Sequence, residues 1–168
     1  METKIATEND LIKLYAEKMK ENPSDAYLAR NLNKRLDSMK KGTRIFFIGT
    51  ENDKYICEMA ACVSPDDEYT QNIAHITDFE TFYLFSFLTK PEYRGQGYFS
   101  LLFRYAQKIL TDMGAKYLTL GVEPDDYENK ARYKKWGFGE LIYTGTEEFD
   151  GMKIKVEYYR KTIKGDVN

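Results

Sequence analysis

The sequence predicts a mixed α+β layer protein on three observations. Two amphipathic helical stripes come first, several short strand-like runs follow, and a single strand–helix–strand crossover lies in the middle. The 168 residues are 42% apolar and 31% charged, the balance of a globular chain long enough to bury a core, and one domain over 1–168 is expected. A net charge of −2 supplies no bulk attraction for nucleic acid or an anionic membrane, so neither is expected as a partner. Met1–Met19 is charged throughout and lacks the apolar stretch of a signal peptide. The most apolar run, Phe79–Thr89, is too short to span a bilayer and includes Glu80, and a cytoplasmic location is expected. His75 is the only histidine, which deprives zinc clusters and histidine-based triads of their ligands, so no metal is expected.

Each element has its own signal. Thr7 followed by Asp10 reads as a capping box opening a helix to about Glu21, with Leu11, Leu14, Tyr15 and Met19 near one side. Pro23 and Ser24 open a second helix, striped by Leu28, Leu32, Leu36 and Met39 and stopped by Gly42. Its basic residues Arg30, Lys34, Arg35, Lys40 and Lys41 read as a solvated face. Thr43–Ile48 and Lys54–Val63 read as strands joined by a polar turn over Thr50–Asp53. Cys57 and Cys62 fall on opposite faces of the second of these, which disfavours a mutual disulfide and predicts free thiols. Ser64–Asn72, with Asp66, Asp67 and Glu68, reads as an exposed loop, and a contact with a cationic acceptor is its alternative role.

Phe79–Thr89 reads as a strand buried on both faces. After the loop Lys90–Gly95 a helix runs from about Gln96 to Met113, with Leu102, Tyr105, Ala106, Ile109 and Met113 inward and Gly114 as its stop. Tyr117–Val122 is a further strand and Asp125–Lys135 a short helix. Asp150-Gly151 marks a terminal hairpin. Counting outward pairs Phe149 with Met152 and Tyr143 with Tyr158 on one face, and Glu148 with Lys153 on the other. The tail from Lys164 reads as frayed.

The chemistry concentrates where a buried strand meets Arg94-Gly95-Gln96-Gly97-Tyr98-Phe99 and then a helix. Glycines let a backbone approach a ligand closely, and the first helical turn aims unpaired N–H groups and the positive dipole end outward, which together suit a pyrophosphate. A plain glycine-rich turn also fits. A dinucleotide fingerprint fits poorly: Lys90–Arg94 intervenes between strand and first glycine, Ser100 stands at the third small position, and there is only one crossover.

Pro91-Glu92-Tyr93-Arg94-Gly95-Gln96-Gly97-Tyr98-Phe99 resembles the strand-end and [Q/R]-x-x-G-x-[G/A] pattern of the GNAT superfamily of acyl-CoA N-acyltransferases, with Phe99 in the last small place. Tyr133-Lys134-Lys135-Trp136-Gly137-Phe138 resembles the same family's Y-x-x-x-G-F. The resemblance covers roughly Arg44 to Tyr159. It implies a central, mostly antiparallel twisted sheet with one parallel, splayed strand pair, flanked by helices. It also implies acetyl-CoA as co-substrate. The pantetheine amides would bond along the backbone of Phe87, Leu88 and Thr89 as an added strand. The pyrophosphate would lie on Arg94, Gly95, Gln96, Gly97, Tyr98, Phe99 and Ser100. The family's pantetheine-contacting Asn corresponds either to Asn129, one turn before Tyr133, or to the place of Asp126.

The implied function is N-acetyl transfer to a primary amine of a small molecule or peptide by direct attack on the thioester, with Tyr133 as general acid. Glu123 and Glu58 are the candidate bases, each otherwise a surface or edge carboxylate. Gly121 stands where the branch acting on protein N-termini often carries Glu, which disfavours that branch. Trp136 reads as core. The two N-terminal helices and Ser64–Ile76 would form the acceptor side, where Tyr27 and Asp66 to Glu68 hint at a cationic amine. Relatives often dimerise, and a homodimer is compatible with the chain. A non-catalytic acyl-CoA-binding sensor or assembly module is the alternative reading.

Overall fold

The computed structural model describes residues 1–73, 75–149 and 151–163. In chain order the elements are β1 (Glu2–Ile5), α1 (Glu8–Glu21), α2 (Ala26–Lys41), β2 (Arg44–Glu51), β3 (Lys54–Cys62), β4 (Thr81–Thr89), a 3₁₀ turn (Pro91–Tyr93), α3 (Tyr98–Asp112), β5 (Tyr117–Val122), α4 (Tyr127–Lys135), β6 (Glu140–Phe149) and β7 (Met152–Thr162). This is the expected mixed α/β fold, with a mostly antiparallel sheet containing one parallel pair and helices flanking it. The chain forms two units. Met1–Ala61 with Ser86–Lys108 makes the first, and Cys62–Phe85 with the chain from Ile109 onward makes the second.

In the first unit the strand order is β1-β2-β3 and then β4. The capping box is formed as predicted: Thr7 Oγ1 accepts from the Asp10 N–H at 3.2 Å, and Asp10 Oδ2 accepts from the Thr7 N–H at 2.9 Å. β1 is absent from the sequence prediction. It is a four-residue edge strand, antiparallel to β2, too short to show an alternation of its own. Asp25, not Pro23 or Ser24, caps α2, accepting from the Tyr27 N–H at 2.9 Å, and Gly42 ends the helix as expected. β2 and β3 are joined through Asn52 and Asp53, both at positive φ, the geometry of a tight hairpin. Cys57 and Cys62 are buried free thiols, as predicted.

The face of α2 is the main correction. Leu28, Leu32, Leu36 and Met39 are only half-buried, whereas Arg35, assigned to solvent by its charge, is 6% exposed. Its guanidinium lies 5.5 Å from the Tyr15 ring centroid and 5.0 Å from that of Phe46. Glu58 is likewise buried rather than a surface or edge carboxylate. Its Oε2 accepts from Lys18 Nζ at 2.8 Å and Tyr55 Oη at 2.9 Å, and its Oε1 is 3.8 Å from Arg35 Nη1. Burial and the neighbouring Glu58 push the Tyr55 phenol far up, so it remains a donor. Two cations and a phenol around one carboxylate offset the desolvation that an isolated charge would incur.

In the second unit the order is β4-β5-β7-β6. Thr81–Leu84 of β4 pairs in parallel with Tyr117–Leu120 of β5, and β5 pairs antiparallel with β7. The hairpin register matches the count from its turn, with Phe149 opposite Met152, Glu148 opposite Lys153 and Tyr143 opposite Tyr158. A bulge lies between Leu141 and Tyr143. Asp150 of the predicted turn and the tail from Lys164 lie outside the described residues. The core here gathers Cys62, Ile76, Tyr83, Val156 and Tyr158.

Three other expectations are corrected. Phe79 is 83% exposed and precedes the strand, and β4 is buried only in its first half, Thr81–Leu84, where β5 pairs with it. Asp67 and Thr70 of the predicted exposed loop are buried, with Asp67 accepting from the Tyr69 N–H at 2.9 Å in a local turn. The buried positions of α3 are Leu102, Phe103, Ala106 and Leu110, while Met113 follows the helix and is exposed.

Removing the guanidinium from the buried cluster should be costly. Arg35→Ala is expected to lower folding stability by about 3 kcal/mol in urea denaturation, because Glu58 keeps Lys18 but loses its second cation. A loss under about 1 kcal/mol would show that Lys18 and Tyr55 satisfy Glu58 without it.

Candidate active site

In the first unit, β4 continues past its pairing with β5 to Thr89, and Ser86 adopts φ 56, a left-handed conformation in a non-glycine residue. Arg35 Nη2 donates to Ser86 Oγ at 2.6 Å and so ties this bend to the Glu58 cluster. Phe87 and Thr89 are half-buried and Leu88 is exposed. The turn after the strand is tied down from both ends: Arg94 Nε donates to the Thr89 carbonyl at 3.1 Å, and Gln96 Nε2 to that of Glu92 at 3.0 Å.

Gly95 and Gly97 have φ 75 and 80, and a Cβ at either would meet nothing within 4 Å. Their role is therefore backbone conformation and open space, which suits close approach by a ligand. The Leu101 N–H returns to the Gly97 carbonyl at 3.2 Å, so the N–H groups of the helix's first turn precede its intrahelical bonding. Tyr98, Phe99 and Ser100 occupy that turn and are half-buried. The bulk of Phe99, the departure from the family pattern, packs against the Phe87 ring at 5.4 Å.

In the second unit, a cavity of about 270 Å³ is lined by Tyr69, Tyr83, Gly121, Val122, Glu123, Asp126, Tyr133, Glu147, Ile154 and Val156. Tyr133 is buried on α4, with its ring centroid 5.8 Å from that of Trp136, which is half-buried at the helix end rather than in the core. Burial first, then the charge of Asp126, pushes the Tyr133 phenol up to about 12, against the opposing effect of Arg132.

The two residues open for the pantetheine role are bonded to each other. Asp126 caps α4, accepting from the Asn129 N–H at 3.1 Å and from its Nδ2 at 2.7 Å, while Asn129 Oδ1 accepts from Arg132 Nη1 at 2.6 Å. Of the two candidate bases, Glu123 is exposed at this cavity, whereas Glu58 belongs to the first unit and is occupied by Lys18 and Tyr55. Tyr27 is partly exposed on α2, in the first unit.

Sequence reasoning did not single out Tyr69, Tyr83 or Glu147. Glu147 Oε2 accepts from Tyr69 Oη at 2.8 Å, and its Oε1 accepts from Tyr158 Oη. The hairpin count that placed Tyr143 and Tyr158 on one face places Glu147 there too, by its even separation from Tyr143. Among the described residues no group of three or more His, Cys, Asp or Glu is arranged to hold a metal, and no helix is long and apolar enough to cross a membrane.

The model of the acetyltransferase (GNAT) family matches residues 9–138, and the chain belongs to that family. No curated protein sequence matches it significantly. Solved structures share the fold at low identity. A ribosomal-protein-alanine N-acetyltransferase of Brucella melitensis superposes with a TM-score of 0.69 at 16% identity, over 97% of this chain and 100% of the other. A chimeric spermidine N-acetyltransferase from Vibrio cholerae gives 0.69 at 14% identity over 96% of each. An N-acetyltransferase of Staphylococcus aureus gives 0.67 at 14% identity over 97% and 98%.

Gly121 holds the cavity's shape. A Cβ there would lie 2.8 Å from Val156 Cγ1 and 3.1 Å from Tyr83 Oη. Gly121→Ala is expected to cost about 1–3 kcal/mol in thermal or urea melts. An unchanged melting curve would mean that β7 and Tyr83 yield without strain.

Proposed function

We propose that the protein is an acetyl-CoA-dependent N-acetyltransferase that acetylates a primary amine by direct attack, with the Tyr133 phenol as the donor to the departing sulfur. The observation that carries this reading is Tyr133 itself, a buried phenol on α4 facing a cavity with carboxylates, in a chain whose glycine turn opens a helix. Gly95, Gln96, Gly97 and the first turn of α3 would hold the pyrophosphate through N–H groups, with Arg94 beside them. The backbone of Phe87, Leu88 and Thr89, beyond the end of the β5 ladder, would take the pantetheine amides. Asn129 would have to exchange Asp126 for the pantetheine arm, so the strand backbone is the stronger assignment.

The acetyl group passes from sulfur to nitrogen: the amine lone pair forms the C–N bond, the C–S bond breaks, the nitrogen loses a proton and the sulfur gains one. With its phenol pushed up to about 12, Tyr133 keeps its proton throughout the physiological range. Outright transfer to a free thiolate of ordinary pKa, about 8.5, would be uphill by about 5 kcal/mol. Tyr133 therefore acts chiefly by donating a hydrogen bond as charge builds on sulfur, and the proton released by the amine completes the balance.

Tyr133→Phe should lower kcat by about 100-fold or more while changing the acetyl-CoA KM by less than about threefold in steady-state kinetics. Unchanged turnover removes Tyr133 from the mechanism. The raised phenol also predicts that kcat shows no downturn belonging to Tyr133 below about pH 10. An alkaline limb near pH 8–9 that vanishes in Tyr133→Phe would contradict it.

A further inference from the structure

We propose that the second unit's cavity is the acceptor subsite and that Glu147 selects primary amines carrying a second positive charge. The inference deepens the acetyltransferase reading and rests on it. Tyr133 shares the cavity wall with Tyr69, Tyr83, Glu123, Asp126 and Glu147, and no Lys, Arg or His is among the described residues lining it. The chain as a whole has 25 basic and 27 acidic residues, so this one-sided lining is local. A cation entering it is attracted and an anion repelled.

Sign alone would not make a site; the mounting of Glu147 does. Tyr69 donates to one carboxylate oxygen at 2.8 Å and Tyr158 donates to the other. Burial, and then the charge or hydrogen bond of Glu147, pushes both phenols well up, so they stay neutral donors. The rings beneath are packed together, with Tyr69 and Tyr83 centroids 5.8 Å apart and Tyr83 and Tyr158 centroids 6.2 Å apart. Each carboxylate oxygen has roughly two acceptor positions, so one phenol apiece leaves capacity for an ammonium.

The other two carboxylates are poorer anchors, because Asp126 is engaged by Asn129 and Glu123 is exposed. The absence of a side chain at Gly121 leaves room for the Tyr83 hydroxyl, 3.1 Å from where a Cβ would stand. At about 270 Å³ the cavity is at the small end for ligand pockets, which favours a short aliphatic diamine over a peptide. One nitrogen would react beside Tyr133 while the other, as ammonium, pairs with Glu147.

The test compares kcat/KM for 1,4-diaminobutane with that for 1-aminobutane, in wild type and in Glu147→Gln. Wild type should prefer the diamine, and the variant should lose at least about tenfold of that preference. Equal kcat/KM for the two amines in wild type, or a preference that survives in Glu147→Gln, overturns the proposal. Tyr69→Phe, which keeps the carboxylate and removes one phenol, should lose less of the preference than Glu147→Gln, and an equal or larger loss would point to a structural effect instead. Calorimetric titration of 1,4-diaminobutane separates the subsite from the acetyltransferase reading. Binding that is lost in Glu147→Gln upholds the subsite even if no amine is turned over, and then only the enzymatic reading falls. No binding to wild type, with no preference in turnover, overturns the subsite.

Discussion

The bend of β4 at Ser86 is held by one side-chain contact that reaches the buried charges of the first unit, the hydrogen bond from Arg35. The parallel ladder with β5 ends at Leu84, and Ser86, two residues on, is in a left-handed conformation that costs a non-glycine residue about 1–2 kcal/mol. Such a residue persists only where its surroundings over-determine it. Here Arg35 donates to the Ser86 hydroxyl, and Arg35 is itself held near Glu58 and the rings of Tyr15 and Phe46. Glu58 in turn is held by Lys18 of α1 and Tyr55 of β3. The buried charges of the first unit are thus part of what sets the course of the strand toward Thr89, the glycine turn and α3.

The same logic explains which parts of the fold were legible in the sequence. Elements whose signal is local came through: the capping box at Thr7 and Asp10, the Gly42 stop, β5 and the hairpin register. Features decided by distant partners did not. Nothing in the stripe of α2 announces that Arg35 rather than Leu36 turns inward, because the reason is a carboxylate on β3 and a serine on β4. β1 is ordered by pairing with β2 and carries no pattern of its own. Asp67 reads as loop solvent-facing polarity, yet its carboxylate is used to close a local turn and is buried.

The candidate site divides along the same line. The glycine turn and the Tyr133 motif are contiguous in sequence and are recognisable as such, and both lie within residues 9–138, which the family model matches. The proposed acceptor subsite draws on single residues from separate elements: Tyr69 from a loop, Tyr83 from β4, Glu147 from β6 and Tyr158 from β7. Only the parity of the hairpin ties two of them together in advance. Gly121 shows how a departure from one branch's pattern acquires a meaning in the folded chain, because the room left at that position is taken by the Tyr83 hydroxyl and the Val156 and Tyr158 side chains.

The central claim is that this chain transfers acetyl from acetyl-CoA to an amine, and amine-dependent release of free thiol from acetyl-CoA by the wild-type protein tests it most directly. The account predicts release that saturates in both acetyl-CoA and amine, with one acetylated amine formed per thiol. Saturable acetyl-CoA binding with no thiol release on any amine would contradict it and leave an acyl-CoA-binding module in its place.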